Sequence, residues 1–508
     1  MTQLNYISHP NPQCRGNPLI EALGYPMTKD EVFKAQDIPF EGQLALEGVP
    51  TQHHGYYLRS IFDNLSSAYV PKDEAYALYE KIRRMIEAGY KHRNPADKTF
   101  RQKMLTAVHQ DGEKQLDSVY LKRLTGETTD ALLRANGCSL LAGLSGDGKT
   151  TMMLRILNGI DQVYRHTSYK KPTGEVVHLD EVQISHLYVQ VHKRKGQKAF
   201  LRSVIEAVET AANTSFRNEL GSRDSVDQMI RFVRKLLLNY NVGILVIDEA
   251  QNIDSDPDQL KLGPNEKTSM KFVEEIFNRI GVPLFFIGTL SVLKLFSREA
   301  TIARRAAIDG GLVMLGNHVD SEFWGRFCQR LYQVNLLNGK HDSCELINQH
   351  LHTLSQGIPA IAVSLMRATL SHMSKFDLGN QAVTMQSLNH VFKEQFTILH
   401  KPLRALKNKN YKAYEDYEPI KELKRINEEL DRYVDNDVSS FECQTSVLPA
   451  SDEEAEKRVS ANLAKVRKTK VVKKSKTVQE MDAVLAKQIG VTALLAIPSP
   501  KPRNSKGV

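Results

Sequence analysis

The chain has 508 residues, 41% of them hydrophobic, and 68 Lys plus Arg against 59 Asp plus Glu leave a formal net charge of +9. That length accommodates roughly two to four domains, and the modest basic surplus is compatible with nucleic acid without demanding it. The five cysteines, Cys14, Cys138, Cys328, Cys344 and Cys443, stand far apart with no Cys-x-x-Cys pair, which speaks against a disulfide scaffold and a structural zinc site. No stretch approaches the about 18–20 continuous apolar residues that span a bilayer, and Met1 to Arg15 has no apolar signal core. The expectation is a cytoplasmic protein with no membrane partner.

Residues 1 to about 60 are rich in Pro, Gly, Asn and Gln and read as irregular, with a short strand near Gly42–Val49. Apolar residues recur at three and four over 72–90, the spacing of a helix. Residues 97–135 read as mainly helical. Short apolar runs then alternate with longer helical patterns. The expected strands are Cys138–Gly143, His186–Val191, Gly243–Ile247, Pro283–Gly288 and Leu331–Leu336. The expected helices between them are Lys149–Leu157, Gln197–Ala212, Ser225–Asn239 and Thr268–Ile280. Apart from the more mixed second and fifth, these strands are nearly continuous in apolar or β-branched residues, the pattern of an α/β fold with a parallel sheet covered on both faces. The expected divisions are an N-terminal extension at 1–110, a core at 111–337, a small helical domain at 338–407 and a C-terminal extension at 408–508. The last contains an expected helix at Lys421–Tyr433 and a run from Lys465 to Lys476 with seven basic residues and no acid.

The strongest signal is GLSGDGKT, Gly143–Thr150, which satisfies G-x-x-x-x-G-K-[ST] between an apolar strand and a helix. Glycines let the backbone wrap a phosphate with its amides pointing inward, and the helix start adds a favourable field for an anion. Gly143, Ser145, Gly146, Asp147, Gly148, Lys149, Thr150 and Thr151 are therefore the candidate ATP contacts. Lys149 reaches for the β- and γ-phosphates, and the Thr150 hydroxyl for Mg²⁺. About 100 residues later, ILVIDEA places Asp248 and Glu249 at a strand end: Asp248 as the second Mg²⁺ residue, Glu249 as the base that polarises an attacking water. LFFIGT ends in Thr289, a candidate to contact the γ-phosphate or lytic water, to cap a helix, or to do both. Phosphoryl transfer also needs positive charge at the transferred group. Arg304 and Arg305 are candidates for it, with Arg326, Arg330 and Arg367 as further possibilities.

Basic residues cluster at the second strand's tip, Lys193, Arg194 and Lys195, with Lys198 starting the next helix. Such a cluster suits a phosphate backbone, whose contacts position a protein without reading bases; a solvated loop is the competing reading. The C-terminal basic run suits DNA, an acidic partner or a solubilising tail.

The order GLSGDGKT, VIDEAQNI, GVPLFFIGT and ARR, together with NPLIEAL at Asn17–Leu23 and GYKHRNP at Gly89–Pro95, resembles the TnsC family of AAA+ ATPases over roughly residues 10–405. These are regulators of heteromeric cut-and-paste DNA transposition, related to TniB and IstB-like ATPases. The resemblance implies an AAA+ type P-loop fold, sheet order 5-1-4-3-2, with a small C-terminal helical domain. It implies ATP and Mg²⁺ as cofactors and self-association into a ring or filament on duplex DNA without sequence specificity. It also implies partners: a TnsD/TniQ-like target selector at the N-terminal extension, and TnsB-like transposase and TnsA-like endonuclease subunits at the tail. Hydrolysis would release the assembly. By the same resemblance, Thr289 senses phosphate, Arg304 or Arg305 reaches a neighbouring protomer's ATP, and Lys193–Lys195 track DNA. One departure stands out: many AAA+ proteins carry an Arg soon after the small domain's Gly-x-Pro turn, and here that turn reads Gly357-Ile358-Pro359-Ala360. Two other classes stay open, a helicase loader or initiator, and a nucleotide-gated scaffold that never engages DNA.

Overall fold

A computed structural model describes residues 4–98, 137–192, 196–216, 224–254, 272, 276, 279–293, 310–334, 336–376, 378–411 and 414. The expected helices at 97–135 and Thr268–Ile280 lie largely outside the described residues. The Lys421–Tyr433 helix, the Lys465–Lys476 run and the whole of 426–508 lie entirely outside them. The description that follows concerns the compact unit Met1–Arg425.

Among the described residues, four helices precede the sheet: α1 (Pro18–Glu21), α2 (Lys29–Gln36), α3 (Thr51–Asp63) and α4 (Ala75–Tyr90). Thr28 starts α2 with a capping box, its side chain accepting from the Glu31 amide while Glu31 accepts from the Thr28 amide. Residues 42–46 form no strand, in contrast to the expectation for Gly42–Val49. The alternation there has no partner edge; the nearest pairing is an isolated bridge between Ile38 and Tyr69.

The core elements follow: β1 (Cys138–Gly143), α5 (Lys149–Asn158), β2 (Val163–Lys170), β3 (Val176–Ile184), β4 (His186–Gln190), α6 (Gln197–Ala212), α7 (Val226–Asn239), β5 (Ile244–Asp248), β6 (Leu284–Gly288) and β7 (Leu312–Met314). The main sheet runs β4-β5-β6-β1-β7, every pair parallel. Counted by its five strands in chain order, this is the expected order 5-1-4-3-2. Side chains alternate between its faces. Leu140, Ala142, Leu245, Ile247, Leu284 and Phe286 pack with α6 and α7. Leu141, Ile244, Val246, Phe285 and Ile287 pack with α5, α4 and α1.

Two differences from the sequence-based expectation have clear causes. The fifth strand is Leu312–Met314, and the expected strand Leu331–Leu336 instead overlaps α8 (Glu322–Gln333). Ser321 caps that helix on the Trp324 amide, and Phe323, Trp324, Phe327, Cys328 and Leu331 bury one helical stripe. The antiparallel hairpin of β2 and β3 is unexpected because β2 alternates buried and exposed positions and offers no apolar run. Beyond α8, helices α9 (Cys344–Ser355), α10 (Pro359–Met373), α11 (Met385–Gln395) and α12 (His400–Lys407) complete the described elements. Their core also holds Phe62, Leu65 and Val70 from the N-terminal segment.

The two N-terminal motifs, NPLIEAL and GYKHRNP, interlock. Asn17 accepts from the Leu19 amide to start α1, while its Nδ2 donates to the carbonyls of Tyr90 (2.8 Å) and Arg93 (3.3 Å). Tyr90 donates to the Asn241 carbonyl at 2.8 Å and Arg93 Nη1 to that of Val242 at 2.8 Å, just ahead of β5. Gly89 permits this approach: a Cβ there would stand 2.9 Å from the Gly243 carbonyl. Arg93 is buried, and the loss of water pulls its guanidinium pKa down to about 10.

His186, at the start of β4, is buried with Nδ1 2.9 Å from the Ser185 hydroxyl, and burial lowers its pKa to about 4. The folded protein keeps this ring neutral while an unfolded chain protonates it near its ordinary value, so stability rises with pH between about 4 and 6.5. His166 is shifted the same way, by burial. Thermal unfolding at pH 5 should show roughly 2 kcal/mol less stability from His186 than at pH 7. His186→Gln should shrink the difference between the two midpoints.

Candidate nucleotide site

The phosphate loop joins β1 to α5. Gly148 caps α5 at φ 86°, in the left-handed region, and Gly146 shares that region at φ 80°. Both conformations favour glycine and turn successive backbone amides toward the loop's centre. Lys149 is buried, and its Nζ donates to the carbonyls of Gly143 (2.9 Å) and Leu144 (2.8 Å). Thr150 and Thr151 follow in the first turn of α5, and Ser145 lies exposed at the loop's crest.

Asp147 is different from its neighbours. Its side chain is buried and faces inward to the protein: Oδ1 accepts from Lys72 Nζ at 2.6 Å and from Asn317 Nδ2 at 2.9 Å. It is therefore a structural member of the loop, and its side chain is not free to contact phosphate as the sequence pattern suggests.

β5 runs directly into the acidic pair. The Thr150 hydroxyl donates to Asp248 Oδ2 at 2.7 Å across 98 residues of sequence. The Tyr188 hydroxyl, from β4, donates to the same oxygen at 2.7 Å. Burial and the neighbouring carboxylates raise the Tyr188 pKa, so this phenol is a donor throughout the physiological range. Nothing in the sequence pattern singles out Tyr188; only the register of β4 on β5, Tyr188 opposite Val246, brings it here.

Glu249 adopts φ 54°, a left-handed conformation uncommon for a non-glycine residue. Its amide donates to Asp248 Oδ1 at 2.7 Å. Gln251 Nε2 donates to Glu249 Oε2 at 2.6 Å, while Gln251 Oε1 accepts from the Thr289 amide at 3.2 Å. One carboxamide thus ties the candidate base to the end of β6. Thr289 Oγ1 lies 2.6 Å from Ser291 Oγ, and Thr289 stands at the N-cap position of the short 3₁₀ turn 290–292 without a side-chain cap bond. Its hydroxyl is thus not committed to capping.

The α10 end of the small helical region abuts the loop. The Ala360 amide donates to the Gly146 carbonyl at 3.2 Å, and the Tyr414 hydroxyl donates to the Ser145 carbonyl at 2.9 Å. Leu144, Ile358, Ile361, Leu403 and Leu406 form the apolar contact beneath them. No Arg immediately follows the Gly357–Pro359 turn; the next residue is Ala360. Arg367 lies 4.0 Å from Asp63 instead. Arg326 binds Asp73 at 2.8 Å and the Pro71 carbonyl, and Arg330 binds Asp37 at 2.9 Å. These arginines pin the N-terminal segment to α8. Arg304, Arg305, Lys193, Arg194 and Lys195 lie outside the described residues, and Lys198 is exposed in the first turn of α6.

The donor set fits Mg²⁺ with a nucleotide. A hydroxyl and one carboxylate are hard oxygen donors, the type Mg²⁺ takes alongside waters and substrate phosphates. Among the described residues no group of three or more His, Cys, Asp or Glu could hold a metal ion. Thr150 and Asp248 would hold the ion, and Lys149 with the loop amides would hold the phosphates.

Residues 132–296 match the family model of an AAA domain. With the five-stranded parallel sheet this region has the P-loop AAA-type fold. Structural similarity is remote. The Walker-type ATPase of Pyrococcus abyssi is 14% identical, covering 55% of this chain and 74% of that one with a TM-score of 0.35. The Aeropyrum pernix ORC2 protein is 11% identical, covering 59% and 69% with a TM-score of 0.33. Domain III of the Thermotoga maritima replication initiation protein DnaA is 13% identical, covering 59% and 94% with a TM-score of 0.29. No curated protein sequence matches the chain.

Two substitutions separate the roles within the AAA domain. Glu249→Gln should retain nucleotide affinity and lower kcat by roughly 100-fold or more, the contribution of a positioned base. Gln251→Leu frees Glu249 from β6 and should lower kcat by a smaller factor with KM nearly unchanged. Steady-state ATPase assays beside nucleotide titrations check both; a Gln251→Leu enzyme that loses affinity and keeps kcat would remove Gln251 from the positioning role.

Proposed function

We propose that the chain is an ATP-hydrolysing switch that assembles on duplex DNA and regulates DNA transposition. The observation that carries the ATPase part is the hydrogen bond between Thr150 and Asp248, with Glu249 beside it, at the mouth of a complete phosphate loop. Mg²⁺ bound there would neutralise phosphate charge and polarise the transferred group. Lys149 moves from its carbonyl partners to the phosphates. Glu249 accepts a proton from the attacking water, and Gln251 holds that carboxylate at the end of β6, next to Thr289. Positive charge from a neighbouring protomer, carried by Arg304 or Arg305, would complete phosphoryl transfer in an assembled state.

The transposition part is supported by the resemblance of GLSGDGKT, VIDEAQNI and GVPLFFIGT to TnsC-type ATPases and by the two interlocked N-terminal motifs. Lys193, Arg194, Lys195 and Lys198 at the β4–α6 junction would follow the DNA backbone. The N-terminal extension would receive a TnsD/TniQ-like selector, and the C-terminal extension TnsB-like and TnsA-like subunits. Hydrolysis through Glu249 would time release.

Electron microscopy of the purified chain with random duplex DNA tests this reading. Rings or filaments should form with ATP or a slowly hydrolysed analogue and be absent with ADP. Lys149→Ala should abolish them, and Glu249→Gln should stabilise them. Replacing Lys193, Arg194, Lys195 and Lys198 by Ala should weaken DNA binding and flatten its salt dependence. Monomers under every condition would refute the assembly model. Nucleotide-dependent assemblies that ignore DNA would favour a scaffold instead.

A further inference from the structure

A carboxylate at the fifth position of the phosphate loop faces a physical problem. Asp147 sits between Gly146 and Gly148, whose amides are turned to receive an anion, and a negative side chain there opposes a triphosphate. The side chain is buried, with 1% of its surface exposed, and its Oδ2 has no hydrogen-bond partner among the described residues. Its charge is balanced through Oδ1 alone, by the Lys72 ammonium at 2.6 Å and the Asn317 amide at 2.9 Å. Lys72 is itself buried and donates a second hydrogen bond to Asn317 Oδ1 at 3.1 Å.

Lys72 is not a stray surface lysine. Its Nζ lies 5.1 Å over the Phe323 ring. Its neighbours are clamped on both sides: Arg326 binds the Pro71 carbonyl and Asp73 Oδ1, and Asp73 Oδ2 accepts from the Phe323 amide at 3.0 Å. The tripeptide Pro71-Lys72-Asp73 is thus held against the start of α8, which fixes where the ammonium stands.

We infer that Lys72 is a positioning residue of the nucleotide site: by neutralising Asp147 it makes the phosphate loop competent to hold the triphosphate. The inference rests on the nucleotide reading of that loop. It makes the segment before α4 part of the ATP site, through charge and not through contact with nucleotide. Whatever displaces Pro71–Asp73 uncovers a negative charge in the loop and expels ATP more strongly than ADP, because ATP carries the additional phosphate charge. A partner docking on the N-terminal segment therefore has a direct route to nucleotide occupancy.

The test is fluorescence titration of the full chain with mant-ATP and mant-ADP, with folding checked by circular dichroism. Lys72→Met should weaken mant-ATP by about tenfold or more, as loss of one partner leaves a buried uncompensated charge, and weaken mant-ADP less. Lys72→Met combined with Asp147→Asn removes both charges and should return mant-ATP affinity to within about threefold of wild type, a recovery measured as coupling in the double-mutant cycle. A purely structural pair would lower the unfolding midpoint while leaving ATP and ADP equally affected and unrescued. If Lys72→Met does not fold, the double variant decides: weak ATP binding by a folded double variant overturns the inference. A folded Lys72→Met that binds ATP as wild type does also overturns it and leaves the nucleotide reading intact. A wild-type chain that binds neither nucleotide overturns that reading and this inference together.

Discussion

A buried carboxylate inside a phosphate loop must be neutralised, and the architecture around the loop is arranged to meet that constraint. Asn317 is its hub. Its amide donates to Asp147 and to the Gly357 carbonyl at 2.8 Å, its carbonyl oxygen Oδ1 accepts from Lys72, and its backbone carbonyl lies 2.8 Å from His352. Every hydrogen-bonding atom of that side chain is used. The phosphate loop, the segment before α4 and the turn that starts α10 therefore meet in one polar junction. Buried ion pairs add little net stability compared with apolar packing, but breaking one by removing a partner is costly. This pair accordingly specifies a geometry, in which the loop, the N-terminal segment and the small helical region share one arrangement.

The chemistry on the other side of the loop follows a similar logic. Asp248 Oδ2 takes hydrogen bonds from both Thr150 and Tyr188, and Oδ1 takes the Glu249 amide. The carboxylate is held by three donors, from the first turn of α5, from β4 and from the residue after β5, which sets its direction. Glu249 is held in a strained backbone conformation, and Gln251 ties it to β6. A shift between β5 and β6 would move the Glu249 carboxylate relative to Thr289. The carbonyls on the loop's outer side are gripped by Ala360 and Tyr414, so the loop is in contact with the small helical region and with the start of the C-terminal extension as well.

The phosphate loop, the acidic pair and four of the five strands of the main sheet are legible in the chain as written, because each is local. A glycine pattern, an apolar run or an acidic strand end needs only neighbouring residues to announce it. The strand at 312–314 escapes because three residues carry too little pattern, and Leu331–Leu336 misleads because the mixed segment LYQVNL, where a capped amphipathic helix ends at Gln333, intersperses apolar and polar residues as a short strand can. The hairpin β2–β3 escapes because alternating strands lack the continuous apolar signature used for the others. Asp147 reads as one more loop residue until its side chain is seen turned into the protein.

The sequence by itself determined that a phosphate-loop pattern, a hydroxyl directly after its lysine and an acidic strand end exist in this chain, and in which order they follow along it. Their local spacing encodes backbone conformation and ligand chemistry directly. Only the tertiary structure decided that Lys72, Tyr188, Gln251 and Asn317 belong to the same site. Lys72 lies 75 residues from Asp147 and Asn317 lies 170 from it, so no local pattern joins them. Their roles come from burial, where an unpaired charge or donor is too costly to leave unmatched and the fold must bring a partner from wherever the chain can supply one.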